Sequence, residues 1–184
     1  TAIMVGTGTG AQHGILIKNG EALEKAHSVD TVVFDKTGTL TEGKPTVTEI
    51  VTFGDTPADE VLRIAASLEA FSEHPLAKAI VAAAKEKGLK LSKTMDFSTV
   101  PGKGIEGTID GKKVLIGSGK ISEGGAVMTA DGLLALARLE EQGKTVARVF
   151  VADVPLGVIA IADTPKADAK DAVDALRHEG VEVF

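Results

Sequence analysis

The sequence has no cysteine, no tryptophan and no tyrosine, and its six phenylalanines bring the aromatic share to only 3 %. Without cysteine there is neither a disulfide framework nor a thiolate metal site. So few aromatics weigh against stacking of bases on aromatic faces as a way of holding single-stranded nucleic acid. Positive charge is also short: 20 Lys and Arg against 26 Asp and Glu leave a net charge of −6. That is the wrong sign for a nucleic-acid backbone or an anionic membrane surface. The four His are scattered, with no ligand spacing. No apolar run reaches the roughly 18 residues of a membrane-spanning helix. The longest stretch, Val149 to Ala162, is broken by Asp153 and Pro155 and reads as two short strands joined by a turn. No signal peptide is evident.

What is present is enough apolar material for a core, 43 % of 184 residues, in a chain of one ordinary domain or two small ones. The most informative stretch is Asp35-Lys36-Thr37-Gly38-Thr39-Leu40-Thr41. It follows Thr31-Val32-Val33-Phe34, a β-branched and aromatic run that predicts a buried strand. A carboxylate is thereby placed at the C-terminal end of a strand, beside a loop of small hydroxyl residues, where open α/β sheets bind ligands. Such a carboxylate can attack phosphorus and become an acyl phosphate. Gly38 allows close backbone approach to a phosphoryl group. Thr37 and Thr39 offer oxygen ligands to phosphate or to Mg²⁺. An ordinary turn also uses Asp, Gly and Thr, but all seven residues directly after a strand weigh against that reading.

Along the rest of the chain, the Gly-rich start Thr1 to Gly14 is a weak helix, Gly14 to Lys18 a short strand, and Glu21 to His27 a helical turn. A strand is expected over Thr46 to Phe53. A helix from Thr56 as N-cap, with Pro57 at N1, carries Val61, Leu62, Ala65, Ala66 and Leu68 on its apolar face. Pro75 opens a second helix over Leu76 to Lys87, stopped at Gly88. The stretch Pro101-Gly102-Lys103-Gly104-Ile105-Glu106-Gly107 contains Gly-x-Gly-x-x-Gly, but an Asp110-Gly111 hairpin follows it instead of a helix, so a dinucleotide fold fails on context. Ile121 to Thr129 is loop-like, and Asp131 caps a helix over Leu133 to Glu141. Thr145 to Ala152 and Leu156 to Ala162 form an antiparallel pair. Pro165 then opens a helix leading to a strand at Val181 to Phe184, a βαβ unit.

Asp35 to Thr41 resembles the phosphorylation signature of the P-type ATPases. Glu69-Ala70-Phe71-Ser72-Glu73-His74-Pro75 is similar to the nucleotide-binding signature of their heavy-metal (P1B) branch. Gly102, Gly104, Ile105 and Gly117 match further nucleotide positions, although Ser118 stands where the family usually carries Asn. Asp163-Thr164-Pro165-Lys166 resembles the hinge motif, and Thr1 to Lys18 the segment leaving a transmembrane helix in the copper-transporting members.

The resemblance implies that Asp35 is the phosphorylated nucleophile, with Lys36, Thr37 and Thr39 beside it. Asp35 and the Thr37 carbonyl would ligate Mg²⁺, and Thr39 would hold a phosphate oxygen. Glu69 and His74 would contact the adenine of ATP, with Gly102, Gly104, Ile105 and Gly117 around it. Asp163 and Lys166 would steady the hinge. The implied fold is α/β: a haloacid-dehalogenase-like, Rossmann-like phosphorylation domain, incomplete here, with an inserted α+β nucleotide-binding domain made of an antiparallel sheet flanked by helices. The expected bounds are a linker at 1–13, the phosphorylation domain at 14–45 and 156–184, and the nucleotide domain at 46–155. The implied function is ATP-driven export of a heavy-metal cation, most closely monovalent copper, by the cytoplasmic part of an integral membrane protein. Its partners would be a membrane domain and an actuator domain, and no nucleic acid. Two alternatives stay open. A soluble haloacid-dehalogenase phosphatase would usually carry a second Asp where Thr37 stands. A non-catalytic nucleotide-binding module would lack the further acidic loops of the family.

Overall fold

The computed structural model describes residues 2–117 and 128–184. Ser118 and most of the loop expected over Ile121 to Thr129 lie outside the described residues. The chain divides into two compact units: Glu42–Thr164, inserted in sequence between the two parts of the other, and Thr1–Thr41 with Pro165–Phe184.

The inserted unit is built on a six-stranded sheet. Its strands are β2 (Thr41–Thr52), β3 (Thr94–Val100), β4 (Gly104–Ile109), β5 (Lys112–Gly117), β6 (Thr145–Val151) and β7 (Val154–Pro165), in the spatial order β2-β7-β6-β5-β4-β3. The pairings from β3 through β7 are antiparallel. The β4–β5 turn is tight because Asp110 (φ 50°) and Gly111 (φ 74°) both take left-handed backbone, the geometry that matches strand twist. Helices α3 (Ala58–Glu69) and α4 (Pro75–Glu86) pack on each other, and α3 lies on β4. Gly107 of β4 permits that approach: a Cβ there would stand 2.8 Å from the Leu68 side chain. A third helix, α5 (Ala130–Glu141), packs against β6.

The run from Val158 to Ile161 is apolar without alternation because both faces of the sheet are covered. Ile159 and Ile161 join the core under α3 and α4, with Val61, Leu62, Leu68 and Ile80. Val158 and Ala160 join a second cluster, with Leu136 and Leu139 of α5. Salt bridges tie the edge to the helix layer: Glu49 of β2 pairs with Arg138 of α5 and, at 3.3 Å, with Lys144.

The split unit contains α1 (Ala2–Gln12), α2 (Gly20–Ala26), β1 (Thr31–Val32), α6 (Ala169–His178) and β8 (Glu182–Val183). Strands β1 and β8 pair in parallel, Thr31 with Glu182 and Val32 with Val183. Two further bonds extend the pairing: Phe34 N–H donates to the Phe184 carbonyl (2.9 Å), and Phe184 N–H to the Val32 carbonyl (3.0 Å).

Several expectations are corrected. The strand expected at Gly14 to Lys18 is not formed; Ile15 N–H instead closes back on Gly10 O (2.8 Å) at the end of α1. The strand before Asp35 is two residues long and not buried: Val33 is 76 % exposed, because β1 has a strand neighbour only in β8 among the described residues. Pro57 is itself the N-cap of α3, with no side-chain cap, and Thr56 plays no such part. Thr129, not Asp131, caps α5 by accepting from Gly132 N–H at 3.2 Å. Pro165 ends β7 and α6 begins four residues later. The expected return to the split unit at Leu156 falls inside β7, which is hydrogen-bonded into the six-stranded sheet. For the same reason β7, α6 and β8 do not make a βαβ unit: β7 and β8 belong to different sheets.

Candidate functional site

In the split unit, the chain leaves β1 through Val33 and Phe34 and reaches Asp35 in extended backbone (φ −69°, ψ 134°). It then winds through a turn over Lys36–Leu40 that is broken at Thr37 (ψ 121°) and Gly38 (φ 77°, ψ −9°). Gly38 is the position where left-handed backbone is required, so glycine is used there. Two side chains hold the turn. Buried Thr41 accepts from Gly38 N–H (3.1 Å) through Oγ1 and donates to the Lys36 carbonyl (3.2 Å). Lys166 donates through Nζ to the Gly38 carbonyl (3.2 Å) and through its backbone N–H to the Leu40 carbonyl (2.9 Å). Asp35, Lys36, Thr37 and Thr39 are left exposed. An exposed carboxylate on a braced loop is free to approach an incoming electrophile. Its carboxyl and the Thr37 carbonyl are hard oxygen donors of the kind Mg²⁺ takes. No group of three His, Cys, Asp or Glu able to hold a metal occurs among the described residues.

In the inserted unit, a cleft of about 270 Å³ opens between the α3–α4 corner and the sheet. Glu69, the last residue of α3, and His74, the N-cap of α4, stand on one wall; Gly104 and Ile105 of β4 and Gly117 of β5 stand on another. Five positions spread over 49 residues of sequence are thus brought together, because β4 and β5 are neighbours under α3. Gly104 cannot be otherwise: at φ 140° a Cβ would lie 1.9 Å from the Ile116 carbonyl oxygen. Gly102 is placed differently. It sits in the exposed β3–β4 turn with open space where its Cβ would be, and it does not line the cleft. The expectation that Gly102 stands with Gly104, Ile105 and Gly117 is thereby corrected.

Burial pushes the Glu69 carboxyl up to about 7, against a smaller opposing effect of its hydrogen bond from Ser72. The imidazole of His74 accepts from Leu76 N–H through Nδ1 (3.2 Å), capping α4. That cap assigns the proton of the neutral ring to Nε2 and leaves it as a donor. Beside Leu76 and Ile80 of α4, the cleft is lined by four sheet residues that the motifs do not indicate: Thr99 on β3 and Thr145, Val146 and Ala147 on β6. Only the order of strands in the sheet brings those four there. Asp163 accepts from Gly43 N–H (3.1 Å) and Lys44 N–H (2.9 Å), so it clamps the start of β2 to the end of β7. Sequence reasoning assigned no work to Thr41, although it lay within the motif; its burial between hydroxyl-rich exposed neighbours has no periodic signature.

A family model described as haloacid dehalogenase-like hydrolase matches residues 29–184. The chain is 46 % identical, over all its 184 residues, to a copper-exporting P-type ATPase of Staphylococcus aureus (strain bovine RF122 / ET3-1), of which it covers 22 %. Among solved structures, it resembles a zinc-transporting PIB-type ATPase in its E2.Pi state, with a TM-score of 0.85 and 40 % identity over the whole chain and 30 % of that protein. It also resembles the catalytic domain of the CPx-ATPase CopB-B, which changes conformation upon nucleotide binding, with a TM-score of 0.68 and 31 % identity over 96 % of this chain and 61 % of that one. The chain therefore spans about a fifth of the length of the curated relative it matches.

Proposed function

Since the chain belongs to the haloacid dehalogenase-like hydrolases and is homologous throughout to the catalytic region of copper-exporting P-type ATPases, we propose that it is the ATP-binding and phosphorylation region of an ATP-driven heavy-metal cation pump. The observation that carries this reading is the pairing, in one chain, of an exposed Asp35 on a braced hydroxyl-rich loop with a cleft that gathers Glu69, His74, Gly104, Ile105 and Gly117. The cleft takes the adenine of ATP. The ionised Glu69 carboxyl accepts from the exocyclic amine, and the Nε2–H of His74 donates to the base or lies against it. The apolar floor of Ile105 and Ile116 excludes water from the ring.

The carboxylate oxygen of Asp35 attacks the γ-phosphorus; the bond from that phosphorus to the bridging oxygen breaks, and ADP leaves with the electron pair. Mg²⁺, held in part by Asp35 and the Thr37 carbonyl, would neutralise the phosphate oxygens when bound. Thr39 presents its hydroxyl to a phosphate oxygen, and Lys166 keeps the loop in shape from the carbonyl side of Gly38. The resulting aspartyl phosphate is the intermediate that couples hydrolysis to transport.

The cargo we assign is monovalent copper, after the curated relatives; the zinc transporter among the structural neighbours makes divalent zinc the competing cargo. The membrane and actuator domains of the parent protein are the partners, with this region on the cytoplasmic face. In the full-length protein, Asp35→Asn is expected to abolish hydroxylamine-sensitive ³²P incorporation from ATP with the fold unchanged. Labelling that survives the substitution would refute the assignment.

A further inference from the structure

Strand β3 carries an irregularity that decides which of its residues face the cleft. Thr94 pairs with Ile109 and Met95 with Thr108, but Ser98 pairs with Glu106, Thr99 with Ile105 and Val100 with Gly104. Asp96 and Phe97 therefore stand together opposite the single Gly107, a β-bulge of one extra residue. Asp96 absorbs that residue in left-handed backbone, at φ 53°, a region Asp enters more readily than most side chains. Gly107 leaves room for it, since a Cβ there would lie 3.1 Å from the Met95 carbonyl oxygen. Side chains alternate along a regular strand, so residues five apart point to opposite faces. Across the bulge they do not. Thr94 donates to the Ser67 carbonyl of α3 at 2.7 Å, and Thr99, five residues on, lines the cleft beneath the same helices. Phe97 turns the same way: it packs on the core under α3 and α4 and meets Phe71 of the α3–α4 corner, ring centroids 5.7 Å apart.

We propose that Thr99 is a nucleoside-contacting residue of the cleft, its hydroxyl brought onto the cleft face by the bulge at Asp96. This deepens the nucleotide reading given above and rests on it for the identity of the ligand; the bulge and the facing of Thr99 belong to the chain itself. Thr99 is exposed, and its hydroxyl makes no hydrogen bond among the described residues. It stands beside Ile105 of the apolar floor, its partner across the β3–β4 pair, while Glu69 and His74 occupy another wall. A hydroxyl can donate or accept, so it suits a ring nitrogen of the base or a sugar hydroxyl. Phosphate is the poorer match. Phosphate oxygens are held by Arg, Lys or runs of backbone N–H, and no Lys or Arg lines the cleft among the described residues.

The facing of Thr99 is conditional on the bulge. If β3 kept the pairing of Thr94 and Met95 unbroken, Ser98 would stand opposite Ile105, and Thr99 would pass to the outer face. Asp96→Gly keeps the left-handed backbone without strain. Asp96→Ile penalises it, because a β-branched residue at positive φ is an outlier, and so favours the unbroken pairing.

The test uses the 184-residue chain, with calorimetry for affinity and NMR for the Phe97–Phe71 contact. Thr99→Val keeps the side-chain shape and removes the hydroxyl. It should leave the melting temperature unchanged and weaken ATP and adenosine alike, by roughly threefold to tenfold. Thr99→Ser should restore both affinities. Asp96→Gly should bind ATP within about twofold of the wild type, whereas Asp96→Ile should lose the Phe97–Phe71 contact and at least as much affinity as Thr99→Val. Wild-type affinity in Thr99→Val would overturn the contact, and a loss seen with ATP but not with adenosine would move the hydroxyl to the phosphates and overturn the nucleoside assignment. A folded Asp96→Ile chain with wild-type affinity would overturn the part given to the bulge. If the wild-type chain bound neither ATP nor adenosine, the nucleotide reading would fail and Thr99 would lose its ligand, while the Phe97–Phe71 contact in Asp96→Gly and its loss in Asp96→Ile would still uphold the bulge.

Discussion

The two units of this chain hold their apolar residues in opposite ways. Among the described residues, every buried apolar side chain lies between Val61 and Ile161, all within the inserted unit. The split unit exposes Ile15, Leu16, Val29, Val33 and Phe184. Both draw on the same kinds of residue; the difference is topology. A six-stranded sheet with helices on both faces can enclose Ile159 and Val158 at once, whereas a two-stranded pairing has no interior. Packing energy is thus concentrated in the unit proposed to hold the nucleotide, and the nucleophile's loop keeps its shape by hydrogen bonds from Thr41 and Lys166. One unit is stabilised by burial and the other by local polar bracing.

The largest test of this contrast is a pair of truncations. Leu62→Ala, at a fully buried α3 site, should cost about 3 kcal/mol or more in urea unfolding. Val33→Ala, removing a comparable branched side chain from an exposed site, should cost less than about 0.5 kcal/mol. Equal costs would mean that the split unit has a core of its own.

A smaller effect sharpens the account of the cleft. Because burial raises the Glu69 carboxyl to about 7, the folded chain holds that proton more tightly than the unfolded chain. Folding stability therefore falls as pH climbs from the ordinary carboxylate range to about 7, and is level with respect to this group above it. Glu69→Gln abolishes that slope. The variant should gain on the order of 1–2 kcal/mol over the wild type at pH 8, allowing for solvent that still reaches the carboxyl, and almost nothing near pH 4. Parallel melting temperatures at both pH values would argue that the carboxyl is well hydrated.

The smallest effect concerns the polar ties. Asp163→Ala removes the acceptor of the Gly43 and Lys44 N–H groups. These groups can turn to water, so the loss should be about 1 kcal/mol, with faster amide exchange confined to the start of β2. A loss as large as that of Leu62→Ala would place Asp163 among the residues that hold the core.

Much of the inserted unit was legible from its sequence. The apolar spacing of Val61, Leu62, Ala65 and Leu68, the stop at Gly88 and the Asp110-Gly111 hairpin are local signals, and each corresponds to an observed element. The same holds for the meeting of Glu69 and His74, since one short helix corner joins them. Thr99 and Thr145 were not legible, because strand order is a non-local property. The strand before Asp35 was overread: Val32, Val33 and Phe34 have strong β preference, but β preference expresses a fit to a half-buried surface, and no such surface covers Val33. Pro165 was misread for a related reason. It closes an edge-directed strand as readily as it opens a helix, and only the partner of β7 decides between them.

The adjacency of β2 and β7 in the sheet bears on the order in which the molecule folds. Pairing Thr31 with Glu182 closes a loop of about 150 residues, an entropic barrier if the intervening chain is still random. Once the inserted unit has formed, its first and last strands lie side by side, and the chain reaching from Thr41 back to β1 and from Pro165 on to β8 becomes a short tether. Shrinking the effective loop to about 30 residues lowers the closure cost by roughly 1–2 kcal/mol. The nucleophile's loop should therefore acquire its native shape late, templated by a neighbour that supplies none of its atoms.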